Sequence, residues 1–261
     1  MAELAWSPEQ QARLKAIESD LGKVSTATAH HLLHGLGWRF PYAEGLRPLQ
    51  ELGLGTRIVG RARTLRYLMR RGPDLPPRDD ATRQAARDRR RTSPEIVLIE
   101  SLEPGDVFCV DALGVLTSGI IGDILTTRIQ ARGAVAAIVH GVVRDAPFIR
   151  QVGLPVFSHG SHPSASGRDL QSVDSDLPIN LSGAQVFPGD IILADDEGVL
   201  AMPLELAEYL AGHGPEKELL ELWIRDKIAG GGSVHDFYPP NAANLAEYER
   251  ETGRTLQHRY G

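Results

Sequence analysis

Cysteine is nearly absent from this sequence. Cys109 is the only one in 261 residues, so no intrachain disulfide can form, and a chain of this length has ample material for a packed core instead. Lysine is scarce as well, with Lys15, Lys23, Lys217 and Lys227 standing against 24 arginines. A Schiff-base enzyme needs a lysine in a desolvated or cation-rich setting, and none of the four lies near the glycine-rich motifs described below. Long apolar runs are missing too. The run 134–139 is far short of the roughly 20 residues that cross a bilayer, and the start MAELAWSPEQ lacks the basic and apolar pattern of a secretory leader. The expectation is a cytoplasmic protein that does not span a membrane.

Acidic residues outnumber basic ones by 34 to 28, a net charge of −6, which does not favour nucleic acid or an anionic lipid surface as a partner of the whole chain. The charge is nevertheless segregated. Residues 57–91 hold 12 Arg and four Asp, a local excess of eight positive charges. No aromatic side chain interleaves RQAARDRRR, and Pro76-Pro77 suggests an excursion, so the segment reads as a solvated loop or helix, with a partner-contact surface as the alternative.

Ser7-Pro8 and Ser25 are helix starts, the first leading a helical spacing of Leu14, Ile17 and Leu21 up to Gly22, the second a short helix through Leu33 that Gly35 and Gly37 stop. Arg57 to Met69 reads as a strand, whereas Ser93-Pro94-Glu95 followed by Ile96-Val97-Leu98-Ile99 suits a helix or a strand equally. The middle of the chain echoes itself: Pro104-Gly105-Asp106 and Pro188-Gly189-Asp190 each read as a type II turn that enters a doubly buried strand. Strands are predicted near 107–111, 135–140, 155–158, 180–186, 190–195 and 198–202, with helices over Asp123 to Arg132, Ala146 to Val152 and Leu204 to Ile228. The class is mixed α and β. The division expected is one domain over 1–229, N-terminal helices included, followed by an extension over 230–261 that packs on its own or a neighbouring subunit.

Chemistry concentrates in two loops at strand ends. Gly119 and Gly122 allow a close backbone approach to a ligand, and the helix that begins there offers unpaired N–H groups to a carboxylate or phosphate. Arg144 can fork onto a carboxylate, and Asp145 supplies a hard oxygen suited to Mg²⁺ or Mn²⁺. On composition alone, a surface ion pair or an Asx turn accounts for such an Arg-Asp pair more readily than a site does.

The stretch from Pro104 to Pro203 resembles the RraA-like family, which contains 4-hydroxy-4-methyl-2-oxoglutarate aldolases and related pyruvate aldolases, oxaloacetate decarboxylases and non-catalytic regulators of ribonuclease E. The resemblance rests on PGDVFCVD, GDIL with a downstream ARG, HGVVRD, GLPVFSHG followed by Pro163, and VFPGDIILADDEGVLAMP, all in family order. It implies an α/β fold, a compact β/β/α sandwich of the swivelling type with N- and C-terminal helical additions, assembled as a trimer or hexamer with sites between subunits. It further implies that Gly122, Asp123, Ile124 and Leu125 bind substrate through backbone N–H groups and that Arg144 binds substrate oxygens. Asp145 would hold Mg²⁺ or Mn²⁺ directly and Asp123 through water, with Arg144 and Asp123 as the catalytic pair. A glutamate from a neighbour's C-terminal region completes the family's aldolase sites; Glu216, Glu218 and Glu221 are the candidates. His140 departs from the family pattern, where a small acid or polar residue is expected.

The function expected from this resemblance is a metal-dependent retro-aldol lyase that releases pyruvate or a related 2-oxo acid from a 4-hydroxy-2-oxo acid, with β-decarboxylation as a side activity. The alternative is a non-catalytic binding protein that regulates a ribonuclease. Other candidates read as structural: His30 and His34 as a polar helix face rather than a zinc pair, Cys109 as a buried small residue, and His159 and His162 either as pocket lining or as loop caps. Gly53-Leu54-Gly55 and Gly230-Gly231-Gly232 lack the strand and helix context of a nucleotide loop.

Overall fold

The computed structural model describes residues 6–72 and 79–256, so Pro76-Pro77 lies outside the described residues. Ser7 and Ser25 act as caps: each hydroxyl accepts a backbone N–H from three residues ahead, at 3.2 and 3.1 Å, which starts α1 (Pro8–Leu21) and α2 (Thr26–Gly35). The two-residue β1 (Arg47–Pro48) and the 12-residue β2 (Ile58–Met69) follow. The arginine-rich run forms α3 (Asp80–Arg91), capped by Asp79 and Thr82 and burying no residue. At Ser93-Pro94 the helix wins. Ser93 caps α4 (Pro94–Ser101), and Glu95, Leu98, Ile99 and Leu102 are buried at helical spacing while Val97 faces out. The sequence left this open because one of the buried positions is a glutamate, whose carboxylate accepts from the Tyr67 hydroxyl at 2.6 Å.

The two echoed Pro-Gly turns are present, with Gly105 at φ 89° and Gly189 at φ 92°, the left-handed third position of a type II turn. They lead into β3 (Asp106–Asp111) and, much later, β9 (Ile191–Asp195), both buried along their whole length. Between them run α5 (Asp123–Ala131), β4 (Ala136–His140), α6 (Ala146–Val152) and β5 (Val156–Ser158). A single 3₁₀ turn (Ser166–Arg168) precedes β6 (Leu170–Ser175), a strand the sequence reading missed because LQSVDS carries no apolar alternation. The strand predicted over 180–186 is two strands, β7 (Ile179–Leu181) and β8 (Ala184–Val186). Ser182 and Gly183 both take positive φ, 51° and 101°, which is the two-residue turn whose twist suits a hairpin. After β10 (Gly198–Met202) the chain forms one 26-residue helix, α7 (Leu204–Ala229), with Pro215 inside it, and then α8 (Val234–Phe237) and α9 (Ala242–Thr252).

The main sheet runs β1-β5-β4-β3-β2-β9-β10, with β6 beside the far half of β2. Strands β2, β3, β4 and β5 are parallel to their neighbours in that run, whereas β9 and β6 pair antiparallel with successive halves of β2. The segment before β2 nearly closes the sheet: Ala43 N–H donates to Val199 O, Ala201 N–H to Pro41 O and Leu49 N–H to Val156 O, which ties β10 to β5. The enclosed face is lined mostly by small or β-branched residues, among them Ala62, Cys109, Ala136, Ala194 and Ala201, and the β7–β8 hairpin covers it. The opposite face is covered by α4, α5 and α6 over Phe108, Val110 and Val139, and by α1, α2 and α7 over Leu193 and Leu200. Alternate side chains of β3 and β4 therefore enter different cores. Each fully buried Leu, Ile or Phe contributes about 1.5–3 kcal/mol, so this double burial accounts for much of the fold. The C-terminal α9 packs Tyr248 onto Leu220 and Ile224 of α7 in the same chain. No helix among the described residues is long and apolar enough to cross a membrane.

At Gly60 in β2 a Cβ would lie 2.6 Å from Gly105 O, 2.7 Å from Val107 Cγ2 and 2.8 Å from Val135 Cγ2. A backbone oxygen cannot rotate away. Gly60→Ala should therefore cost about 1–3 kcal/mol, read as a lower urea midpoint at unchanged m-value; an unaltered midpoint would show that the β2–β3 contact is looser than described.

Candidate functional site

The carboxyl ends of β3 and β4 lead into the two loops that carry the GDIL and RD motifs, and backbone hydrogen bonds zip those loops together. Ile120 N–H donates to Val142 O at 2.9 Å and Arg144 N–H to Ile121 O at 2.9 Å. A third strand of chain joins from the loop after β5, where Gly119 N–H donates to Ser164 O at 2.7 Å, Val143 N–H to Gly160 O at 3.0 Å and His162 N–H to Val143 O at 2.8 Å. Glycine is what permits the approach. A Cβ on Gly119 would sit 2.7 Å from both the nitrogen and the Cβ of Arg144, and one on Gly122 would sit 2.5 Å from Asp145 Oδ2 and 3.0 Å from Arg144 Nε.

Gly122 is the N-cap of α5 and has no side chain to satisfy the first turn. The N–H groups of Asp123, Ile124 and Leu125 precede the first helical bond, Thr126 N–H to Gly122 O, and so lack helical acceptors. Beside them Arg144 Nε and Asp145 Oδ2 pair at 2.9 Å with both side chains about a third exposed. Asp145 is held in the left-handed region at φ 54°, an uncommon backbone state for a non-glycine residue. The six residues singled out by sequence, Gly122, Asp123, Ile124, Leu125, Arg144 and Asp145, thus border one surface. The segments that carry these residues also leave large apolar side chains exposed: Leu113 and Leu116 between β3 and α5, Ile124 in α5 and Phe148 in α6 are 45%, 57%, 74% and 59% accessible.

Mg²⁺ and Mn²⁺ take one or two carboxylates and keep most of their remaining ligands as water or substrate oxygen. Among the described residues no three His, Cys, Asp or Glu side chains form a complete cage. Asp145, however, presents a carboxylate that is 34% exposed beside Arg144 Nε, and a second carboxylate, Asp123, follows Gly122 directly in the chain. This donor set fits a largely hydrated hard cation.

Other sequence candidates sit elsewhere. His140 lies on the enclosed face of the sheet, its Nδ1 3.2 Å from Asp111 Oδ1 and 3.1 Å from Asn180 O. Burial alone would raise Asp111; bonds from His140 and the N–H groups of Leu113 and Asn180 outweigh it and hold the carboxyl below its usual range. His159 packs edge-on against His140 at 5.8 Å, and burial followed by that neighbour's charge lowers its pKa. His162 Nδ1 accepts from Ser164 N–H at 3.1 Å, the loop-cap reading. His30 and His34 stack at 6.4 Å on α2, and burial pushes the Cys109 thiol up, away from reactivity. Each lysine is ion-paired: Lys15 with Glu18, Lys23 with Asp20, Lys217 with Glu221, and Lys227 with Glu247 and Glu251. Of the candidate glutamates, Glu218 accepts from Ser25 N–H at 2.8 Å and Glu221 is held by Lys217; α7, which carries them with Glu216, packs on α1 and α2. Two clefts of about 640 and 770 Å³ lie against α7 and against α1, and neither includes Arg144 or Asp145. The sequence reading missed Thr117, Ser118 and Asp169, which join behind Gly119; only the adjacency of two hydroxyl residues to that glycine hinted at them.

A nearly closed, mixed sheet with helices on its outer face, and glycine loops meeting at the carboxyl edge of its parallel strands, defines a compact α/β protein of the β/β/α type. Residues 23–201 match the family described as RraA-like, aldolase/RraA, and the chain belongs to that family. It is similar to the solved structure of Streptomyces coelicolor RraAS2, described as an unusual member of the RNase ES inhibitor RraA protein family, with a TM-score of 0.68 and 30% identity over 80% of this chain and 96% of that one. Protein DlpA of Legionella pneumophila is 28% identical over 190 residues, 73% of this chain. The 4-hydroxy-4-methyl-2-oxoglutarate aldolase of Thermus thermophilus is 30% identical over 106 residues, 41% of this chain. The chain spans 28% of the length of the first of these curated relatives and 64% of the second.

The glycines make separable predictions. In Gly122→Ala the new methyl meets only side-chain atoms of Arg144 and Asp145, so the pair swings aside and the thermal midpoint should stay within about 2 °C. In Gly119→Ala it meets the backbone of Val143 and Arg144, and overpacking of about 1–3 kcal/mol should lower the midpoint by several degrees. Equal midpoints for the two variants, measured by calorimetry, would contradict the loop packing described.

Proposed function

We propose that the chain is a divalent-metal-dependent lyase that cleaves a 4-hydroxy-2-oxo acid to pyruvate or a related 2-oxo acid, with β-decarboxylation of oxaloacetate as a side activity. The observation that carries this is the Arg144–Asp145 pair set against the uncapped N-terminus of α5, in a family whose relatives include proteins named as aldolases. Residues 1–229 form the catalytic unit in this reading, and 230–261 an extension.

In this reading Asp145 would hold Mg²⁺ or Mn²⁺ directly and Asp123 would hold it through water. The cation, when bound, supplies Lewis acidity at the 2-oxo carbonyl. The N–H groups of Asp123, Ile124 and Leu125 bind the substrate carboxylate, where the positive end of the helix favours negative charge. Asp123, through a hydrogen-bonded water, would accept the proton of the 4-hydroxyl as the C3–C4 bond breaks and its electron pair passes into the enolate of the released 2-oxo acid, and would return that proton to C3 to give the 2-oxo acid. Arg144 steadies the negative charge that builds on the 2-oxo oxygen. Loss of carbon dioxide from oxaloacetate leaves the same enolate, so one set of contacts serves both reactions.

The exposed apolar side chains of these segments support a second element of the proposal, that a neighbouring copy covers them in a trimer or hexamer and completes the site, with Glu216, Glu218 and Glu221 as candidate donors. Leu113, Leu116, Ile124 and Phe148 are all left exposed in the single chain, and exposed large apolar groups of this kind favour a partner surface. The second reading, a binding protein that acts on a ribonuclease, is favoured by the likeness to RraAS2 and by the fully exposed arginine helix α3.

Chelated, metal-free protein should lose turnover of oxaloacetate and of 4-hydroxy-4-methyl-2-oxoglutarate, and Mg²⁺ or Mn²⁺ should restore it. Asp145→Ala and Arg144→Ala should each lower kcat/KM by about 10²-fold or more, and Arg144→Lys nearly as much, because one ammonium does not reproduce a forked contact. Undiminished turnover without metal, or near-normal kinetics in the lysine variant, refutes the mechanism; no turnover on either substrate at any metal leaves the binding reading. Light scattering on active samples should give a trimeric or hexameric mass, and a monomer would remove the shared site.

A further inference from the structure

Behind the glycine loop lies a polar contact that the mechanism above does not use. Asp169, between the 3₁₀ turn and β6, accepts two hydroxyl hydrogen bonds on the single oxygen Oδ2, from Thr117 Oγ1 at 2.6 Å and from Ser118 Oγ at 2.7 Å. Ser118 is completely buried. Asp169 is itself fixed from behind: its backbone oxygen accepts from Arg70 N–H at 2.8 Å, its N–H donates to Ser166 O at 3.1 Å, and Arg168 Nε lies 3.3 Å from its Oδ1.

We propose that Asp169 is a positioning residue for the Arg144–Asp145 site, acting through Ser118 and Gly119 on the placement of Arg144. This inference rests on the lyase reading for its kinetic arm but not for its structural arm. The chain of contacts is short. Asp169 clamps Thr117 and Ser118; the next residue, Gly119, lies so near Arg144 that a Cβ would come within 2.7 Å of its backbone nitrogen; and Gly119 N–H is held by Ser164 O on the far side. With contacts this close, a shift of the hydroxyl pair by a few tenths of an ångström is passed to Arg144 rather than absorbed, because packed interiors do not deform freely.

A carboxylate does this better than a neutral acceptor for two reasons. Hydrogen bonds to an ionised oxygen are shorter and roughly twice as strong as neutral ones, which matches the 2.6 and 2.7 Å separations. One oxygen accepting from two successive residues also fixes both the position and the twist of that dipeptide, which a single bond would leave free to pivot. The hydroxyl of Thr117, and then that of Ser118, hold the Asp169 carboxyl below its ordinary pKa, so the clamp is charged across the neutral range. Nothing in this arrangement brings Asp169 to the substrate, and its role is geometry alone.

The test uses the full-length protein and the variants Asp169→Ala, Asp169→Asn and Ser118→Ala. Asp169→Ala should lower kcat/KM for oxaloacetate with Mg²⁺ by about 10–100-fold, the scale of an ångström misplacement at a reacting centre, with the thermal midpoint within a few degrees of wild type. Asp169→Asn, which keeps an oxygen in place, should recover most of that loss, and Ser118→Ala should fall between them. Independently of turnover, amide hydrogen exchange followed by mass spectrometry should speed up in peptides spanning 117–122 and 142–145 of Asp169→Ala and not in β9 or β10. Exchange unchanged in those peptides, or wild-type kcat/KM in Asp169→Ala, overturns the proposal. A wild-type protein inactive on every 2-oxo acid defeats the lyase reading instead, and the exchange result then decides the clamp by itself.

Discussion

The close approach of Gly119 and Gly122 to Arg144 and Asp145 is the contact on which the rest of the site depends. It puts two loops that are more than 20 residues apart in sequence into backbone contact, and it does so without side chains in between. Everything polar follows from it: the free N–H groups at the start of α5, the arginine fork and the carboxylate share one surface only because no Cβ separates them. The parallel pairing of β3 with β4 supplies the frame, since both strands then end on the same edge and deliver their loops side by side, the usual place for ligands in such sheets.

That frame needs a sheet buried on both sides, and the composition of the strands shows how this is met. The enclosed face takes Ala62, Cys109, Ala136 and Ala194 together with β-branched Val107, Ile138 and Ile192, while the outer face takes Phe108, Val110 and Val139. A nearly closed sheet has limited room inside, and compact or β-branched side chains fill most of it. At the carboxyl mouth of the enclosed core, Asp111, His140 and Asn180 replace apolar residues with a hydrogen-bonded cluster. His140 therefore belongs to the seal of the hairpin and not to the Arg144 surface.

Much of this was legible in the sequence, and the exceptions have physical causes. The Pro-Gly turns, the buried strands after them and the loop motifs announce themselves through local chemistry that the tertiary structure does not override. Strand β6 was invisible because its partner is the far half of β2 and its own residues are polar. The hairpin turn at Ser182-Gly183 was read as continuous strand because serine at positive φ is uncommon. Helix α4 was ambiguous because a buried glutamate interrupts its apolar stripe. Asp169 could not be read at all, since an acid between Arg168 and Leu170 has no local signature; its meaning comes from hydroxyls some 50 residues earlier in the chain.

The arginine surplus of residues 57–91 also reads differently once folded. Arg61 forks onto Asp106, which is 1% exposed, at 2.6 Å; Arg63 pairs with Asp176 at 2.9 Å, Arg66 with Asp174, and Arg57 lies 3.4 Å from Asp195. These four belong to β2 or its lead-in and face acids on neighbouring strands and turns, so their charge is spent within the fold. Burial pushes the Asp106 carboxyl up, and the Glu103 N–H and Arg61 offset that only in part. Such a pair is weak evidence of net stability, yet removing one partner strands the other and costs about 3–5 kcal/mol; its clearer effect is on register, because Arg61 sits directly opposite Asp106 in the β2–β3 ladder. The arginines of α3, with Asp80 and Asp88 among them, are by contrast all exposed. Among the described residues, the charge of this basic stretch is therefore divided between arginines paired with acids inside the fold and a helix that buries none of its own residues.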